Sequence, residues 1–238
     1  MRPNMEFAKK LSDDDLRRMA VFRCAQGFAS PEELHRICGD GLLAADRDLT
    51  CLPEEELQQV VTALLKPSRV AHVLGCRETA VALAQKWGAN VTDAARAALL
   101  HDVTKALDGP LQLTLCDAYG IILDNFSTEN PKTLHALTGS LVADRIFGEN
   151  PAVVAAIRSH TTGKANMNML EKIIYVADYM EPNRDFPGVE ELRYLAHTDI
   201  DKALKLGLEM TLAMLKEQGK EISPASQQAL AFLEAEKG

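Results

Sequence analysis

Four of the chain's six histidines fall in one ordered series with two aspartates: His72, His101–Asp102, His135, His160 and Asp178. Neutral imidazole and carboxylate are the side chains that hold catalytic transition metals while leaving coordination positions open. An adjacent His–Asp pair, with further ligands on separate helical segments, is what a polynuclear hydrolytic centre needs. A lone histidine on a helix is more often a hydrogen-bonded structural group, and His35 and His197, outside the series, take that reading. Singly, Asp102 reads as a helix-end cap, and Asp178 as a partner of Arg184 or Lys172. Six such residues together favour ligands.

Ligands of this kind need helices that turn them inward. His72 shares a stripe with Cys76, Thr79 and Leu83, at offsets of four, seven and eleven residues. His135 lies with Gly139 and Val142, where small residues leave room beside the ring. His160 falls in a last helical turn beneath Val153 and Ala156, and Asp178 lies with Ile174 and Glu171. His101–Asp102 follows the apolar run Ala97–Leu100, which carries a charge into the interior. A carboxylate there is costly unless paired or metal-bound.

Start and stop signals predict an all-α fold. Ser12 with Asp15, and Ser30-Pro31 with Glu33, resemble capping boxes opening two short helices. Pro53 opens a helix to about residue 65, and residues 68–87 form a long one ending at Gly88. Thr92 caps a helix over 94–105, stopped by Asp108-Gly109-Pro110. Asn130-Pro131 and Asn150-Pro151 open helices over 131–147 and 151–160. Further helices follow near 168–180, 189–196, 199–218 and 224–236.

The hydrophobic fraction of 47% is enough to bury a core, and scarce β-branched alternation favours helices over strands. Net charge −8 argues against broad affinity for nucleic-acid backbones, so an anionic substrate must be met by metals and a few local bases. No segment approaches the roughly 18 apolar residues that cross a bilayer. Arg2, Lys9 and Lys10 lack the apolar stretch of an export signal. Five cysteines without a CxxC spacing read as reduced thiols of a cytoplasmic protein.

The order H…HD…H…H…D resembles the HD-domain metal-dependent phosphohydrolases. The flanking text resembles the YqeK-like branch, the symmetrical diadenosine tetraphosphatases. It comprises Arg69-Val70-Ala71-His72-Val73-Leu74-Gly75, Ala98-Leu99-Leu100-His101-Asp102-Val103-Thr104-Lys105, His160-Thr161-Thr162-Gly163, and the run from Glu171 to Gly188 that ends EPNRDFPG. The likeness covers about residues 53–236. It implies a helical HD core over 53–238, with residues 1–52 as a helical N-terminal extension. There Leu16, Met19, Val21 and Phe22 dock an arm onto the domain or a partner chain.

The resemblance further implies two divalent ions, iron first, with manganese or cobalt as alternatives. By the family's pattern His72, His101, Asp102 and Asp178 hold one ion, and Asp102 bridges to a second held by His135 and His160. Asp102 and Lys105 become the catalytic residues. Lys105, Thr161, Thr162, Gly163, Arg184 and Asp185 become the substrate contacts. The chain departs from the family at Val70-Ala71, where a Tyr-Glu pair is common, and at Lys164, where an arginine is expected.

The reaction implied is symmetrical cleavage of diadenosine tetraphosphate to two ADP by a metal-activated water. A di-iron HD-type oxygenase, another nucleotide phosphohydrolase and a nucleotide-binding regulatory module are the alternatives. Partners are then a nucleotide polyphosphate, with no nucleic acid or membrane, and a homodimer stays open.

Overall fold

Ala94, Ala95, Ala97, Ala98, Leu99 and Leu100 are all buried on the ten-residue helix α5 (Val91–Leu100). Four alanines let neighbouring helices approach on several sides, and α5 is the axis on which the others pack. The structure is a computed structural model that describes residues 11–235 as thirteen α-helices, with no strand among those residues. No helix among them is long and apolar enough to cross a membrane. The basic stretch Arg2–Lys10 lies outside the described residues.

Helices α1 (Asp13–Val21) and α2 (Pro31–Cys38) open as expected, with Ser12 and Ser30 accepting from the amides of Asp15 and Glu33. Next come α3 (Glu54–Leu64) and the long α4 (Pro67–Trp87), closed by Gly88 at φ 69°. Between α5 and the later elements lie α6 (Gly109–Ala118) and the short α7 (Asn125–Glu129). Then follow α8 (Leu134–Arg145), α9 (Pro151–Ser159) and α10 (Met169–Met180). The chain finishes with α11 (Val189–Thr198), α12 (Ile200–Glu217) and α13 (Pro224–Ala235). Helix α5 packs against α3, α4, α8, α9 and α10, while α11–α13 cover the outer side of α10 and one another.

Several boundaries differ from the sequence reading, each for a local reason. Asn90, not Thr92, caps α5 by accepting from the Asp93 amide. The helix ends at Leu100 rather than near Lys105. Beyond it, i→i+3 bonds (Val103 N to Leu100 O, Lys105 N to Asp102 O, Leu107 N to Thr104 O) tighten the chain. The Asp108-Gly109-Pro110 stop is also a start: Asp108 caps α6, and the proline occupies its first turn, where no amide is needed. Asn130 makes no side-chain cap. Pro131–Thr133 forms a 3-10 turn before α8 begins at Leu134.

The N-terminal segment shares the core of the rest. Met19, Val21 and Phe22 are fully buried in the same hydrophobic cluster as Leu99 and Leu115. Tyr119 donates to the Phe22 carbonyl at 2.8 Å, and Arg18 to that of Leu64 at 2.7 Å. Phe22→Ala is expected to cost about 3–5 kcal/mol in urea unfolding, with one transition for the whole chain. A separate early transition would show that the segment is not part of this core.

Candidate metal centre

Three of the four histidines in the series are aimed by one local device. His101 and His160 directly follow the last residues of α5 and α9, where helix carbonyls run short of amide donors, and the Ile157 carbonyl has only a long 3.4 Å bond from the His160 amide. Each ring donates through Nδ1 to the carbonyl three residues back, His101 to Ala98 and His160 to Ile157, both at 2.6 Å. His135, in the first turn of α8, does the same to Lys132 at 2.8 Å. A carbonyl only accepts, so the proton lies on Nδ1 and the Nε2 lone pair is exposed to the interior.

His72 lies inside α4, where helix amides already engage the carbonyls. Its Nδ1 donates instead to the buried carboxylate of Glu181, at 3.1 Å. Gly75, one turn along, makes this possible: a Cβ there would stand 2.5 Å from Glu181 Oε2 and 3.1 Å from Asn183 Nδ2. Asn183 returns two donors to that oxygen, from its amide at 2.7 Å and its side chain at 2.8 Å. Anchoring the distal nitrogen in this way fixes ring orientation and raises ligand basicity.

The four rings stand in a row, His72–His101–His160–His135, edge to face with centroids 5.0–5.4 Å apart. Nε2 of His72 is 3.3 Å from that of His101, and Nε2 of His135 is 3.2 Å from that of His160. Lone pairs therefore face each other in two pairs, which is repulsive without a cation between them. Burial holds His135 down at about 3, helped by the charge of Lys105, and His160 at about 4, so both rings are neutral around pH 7.

Asp102 sits between the pairs. Its Oδ2 faces His101 at 3.6 Å and His72 at 3.8 Å, and its Oδ1 faces His135 at 3.4 Å and His160 at 3.8 Å. Oδ1 is buried with no hydrogen-bond partner. Asp178 joins the first pair, 3.2 Å from His72 Nε2 and 3.9 Å from His101 Nε2. Desolvation opposes charge on both carboxylates. The imidazoles, with Lys105 beside Asp102 and Arg184 beside Asp178, outweigh it and hold both below the ordinary carboxylate range. Neutral nitrogens, ionised oxygens and an orphaned oxygen fit two divalent ions.

Cations surround this set. Arg69 pairs with Asp102 Oδ2. Lys105 Nζ lies 3.5 Å from Asp102 Oδ1 and 2.8 Å from His135 Nε2. Arg184 reaches Asp178 Oδ1 at 2.9 Å and its carbonyl at 3.0 Å. The tightened chain after Leu100 puts Lys105 over Asp102, because residues three apart eclipse in i→i+3 geometry.

Of the other sequence-derived candidates, Thr161 joins the centre, with Oγ1 3.1 Å from Nε2 of both His135 and His160. Thr162 bonds the Gly163 carbonyl, Gly163 packs against Leu208, Met167 and Ala229, and Asp185 is exposed on the loop after α10. Lys164 is turned away, paired with Glu171 at 2.6 Å. Lys172 pairs with Asp201, and His35 and His197 are exposed. The room attributed to Gly139 lies not at the His135 ring but at the His101 carbonyl, 3.3 Å from where a Cβ would sit.

Two neighbours escape a reading of the series alone, Arg69 and Glu181, and a third, Cys76, is placed there only by its stripe with His72. The first two stand within the quoted motifs, so RxxH and EPxR spacing was their signal. Cys76 Sγ lies 3.7 Å from His72 Nε2. Burial, then Asp178, Glu181 and Asp102, push its thiol well above the ordinary range.

Comparison with known proteins decides the family. An HD domain model matches residues 69–183, which include five of the six series residues in its span up to His160, and Asp178 as the sixth. The chain is 36% identical over 171 residues to the symmetrical bis(5'-nucleosyl)-tetraphosphatase of Bacillus subtilis, covering 71% of this chain and 91% of that one. The chain belongs to the HD-domain hydrolases of the YqeK-like branch. The equivalent protein of Halalkalibacterium halodurans is 39% identical over 172 residues, covering 70% and 89%. In three dimensions the HD hydrolase chain resembles a predicted HD superfamily hydrolase involved in NAD metabolism from Clostridium acetobutylicum. That match has TM-score 0.75 and 34% identity, covering 78% of this chain and 98% of the other.

Gly75→Ala tests the anchoring of His72. The added Cβ must displace Glu181, so divalent-metal affinity is expected to fall about 10–100-fold with helical content retained. Unchanged affinity by calorimetry would show that Glu181 does not orient the ring.

Proposed function

We propose that this HD hydrolase cleaves diadenosine tetraphosphate symmetrically to two ADP. The observation that carries this reading is Asp102, whose two carboxylate oxygens face separate imidazole pairs. His72, His101, Asp102 and Asp178 would hold one ion, and Asp102, His135 and His160 the other. Two bound divalent ions, for which we propose iron with manganese or cobalt as substitutes, supply an acidified water and polarise phosphoryl oxygens. The names of the B. subtilis and H. halodurans relatives support the substrate.

The remaining work falls to the chain's own cations. Lys105, whose side chain is 38% exposed, lies beside the buried Asp102 and can turn from it to a phosphoryl oxygen. Arg184, 35% exposed, holds Asp178 in place and presents its outer edge to an anion. Thr161 offers a hydroxyl at the second imidazole pair. Thr162 and Gly163 shape that turn, and Asp185 borders the loop that carries Arg184. None of these groups is needed as a nucleophile.

Residues 53–238 would form the catalytic core and 1–52 an extension built onto it. The five cysteines, all unpaired, fit a cytoplasmic setting, and net charge −8 fits a small anionic substrate bound at a local cationic patch rather than a nucleic acid. A homodimer is compatible with this arrangement.

The test is anaerobic purification, metal analysis, and product analysis with diadenosine tetraphosphate. ADP alone without dioxygen supports the reading, whereas AMP plus ATP, or a requirement for dioxygen, overturns it. Asp102→Ala is expected to lose both ions and all turnover, and full activity would sink the assignment. Lys105→Met should keep its metals yet lower kcat/KM about 10²-fold or more. An unchanged kcat/KM would remove Lys105 from the reaction.

A further inference from the structure

Cys76 is 1% exposed and sits one turn beyond His72 on α4, on the face that carries the first imidazole pair. Its Sγ, one nitrogen each from His72 and His101, and an oxygen of Asp178 all lie within 4.8 Å of one another. Measured from His72 Nε2, the separations are those of ligands around a single small ion, and His101 to Asp178 is wider at 3.9 Å. Around tetrahedral zinc, bond lengths of about 2.0–2.1 Å to nitrogen or oxygen and about 2.3 Å to sulfur put neighbouring ligands about 3.3–3.4 Å apart, or about 3.6 Å for nitrogen and sulfur. His72 to His101 is 3.3 Å, His72 to Asp178 is 3.2 Å, and Cys76 Sγ to His72 Nε2 is 3.7 Å.

A second observation points the same way. The Nε2 of His101 is fully buried, and with its proton fixed on Nδ1 by Ala98 it is a lone pair aimed into this group. Near it lie the lone pair of His72 and the oxygens of Asp102 and Asp178, none of them a donor. The thiol itself contacts the Ala177 carbonyl at 3.7 Å and the His72 ring at 3.7 Å.

We propose that Cys76 is a ligand, completing with His72, His101 and Asp178 a tetrahedral site for a soft divalent ion of the zinc type. This rests on the reading of His72, His101 and Asp178 as metal ligands. Coordination replaces the S–H bond by a sulfur–metal bond, and the thiol proton leaves to solvent, with no change in oxidation state. The first position then has two ligand sets. The Asp102 set, all nitrogen and oxygen, suits harder ions and keeps positions open for water. The Cys76 set fills all four positions with protein, as structural zinc sites do, and favours zinc through its thiolate.

Cobalt(II) added to the metal-free full chain reads this directly, because a thiolate ligand gives a near-ultraviolet charge-transfer band that nitrogen and oxygen ligands lack. The wild type is expected to show the band, and Cys76→Ala and Cys76→Val to lose it while still taking up cobalt. Calorimetry in buffers of different ionisation enthalpy should show zinc releasing one proton fewer from either variant. Manganese affinity should be the same in all three proteins. Absence of the band in the wild type overturns the proposal whatever the variants do, as does its persistence in a folded variant. No arm uses diadenosine tetraphosphate: a protein that fails as a hydrolase but shows the band keeps the Cys76 site, and an active hydrolase without it loses that site alone.

Discussion

A carboxylate buried in an all-helical core costs free energy unless charges or dipoles replace the water it leaves. Asp102 is 1% exposed, and one of its oxygens accepts no hydrogen bond. Imidazoles lie on both sides of it, and Arg69 and Lys105 each approach a different oxygen. Removing the imidazoles and both cations together would leave an uncompensated charge at the middle of the fold. The Ala-rich α5 and the tightened chain after it deliver that carboxylate to the interior and enclose it.

The aim of the four rings follows from where each histidine sits relative to helix hydrogen bonding. His101 and His160 terminate helices, where end carbonyls can take the ring proton (that of Ile157 shared with the His160 amide), and His135 uses the carbonyl of the preceding 3-10 turn. His72 has no spare carbonyl and takes Glu181 from the loop after α10. That choice demands the missing Cβ of Gly75 and the two donors of Asn183. The EPNR loop therefore shapes the centre from behind while Arg184 steadies Asp178 in front. One loop serves both His72 and Asp178, which makes their positions interdependent.

Much of the fold was legible residue by residue. Ser12, Ser30 and Asn150 cap the helices their spacing announces, and Gly88 ends α4 where a left-handed residue is needed. The differences have local causes. Asp108-Gly109-Pro110 reads as a stop, yet the same residues open α6. Asn130-Pro131 carries a cap's residue types, but its backbone at ψ 59° turns into a 3-10 segment and the cap bond is not made.

The sequence alone determined the identity and order of the series, because imidazoles and carboxylates on apolar helical faces have few other uses and the motifs around them are specific. Tertiary structure decided how these residues divide. Helix packing put His72 against His101 and His135 against His160, set Asp102 between them, and gave its two oxygens separate neighbours. It also turned Lys164 to Glu171 and brought Arg69 and Glu181 to the centre. These pairings join residues up to 109 positions apart, so no local period or cap encodes them. They arise only when α4, α5, α8, α9 and α10 close on one another.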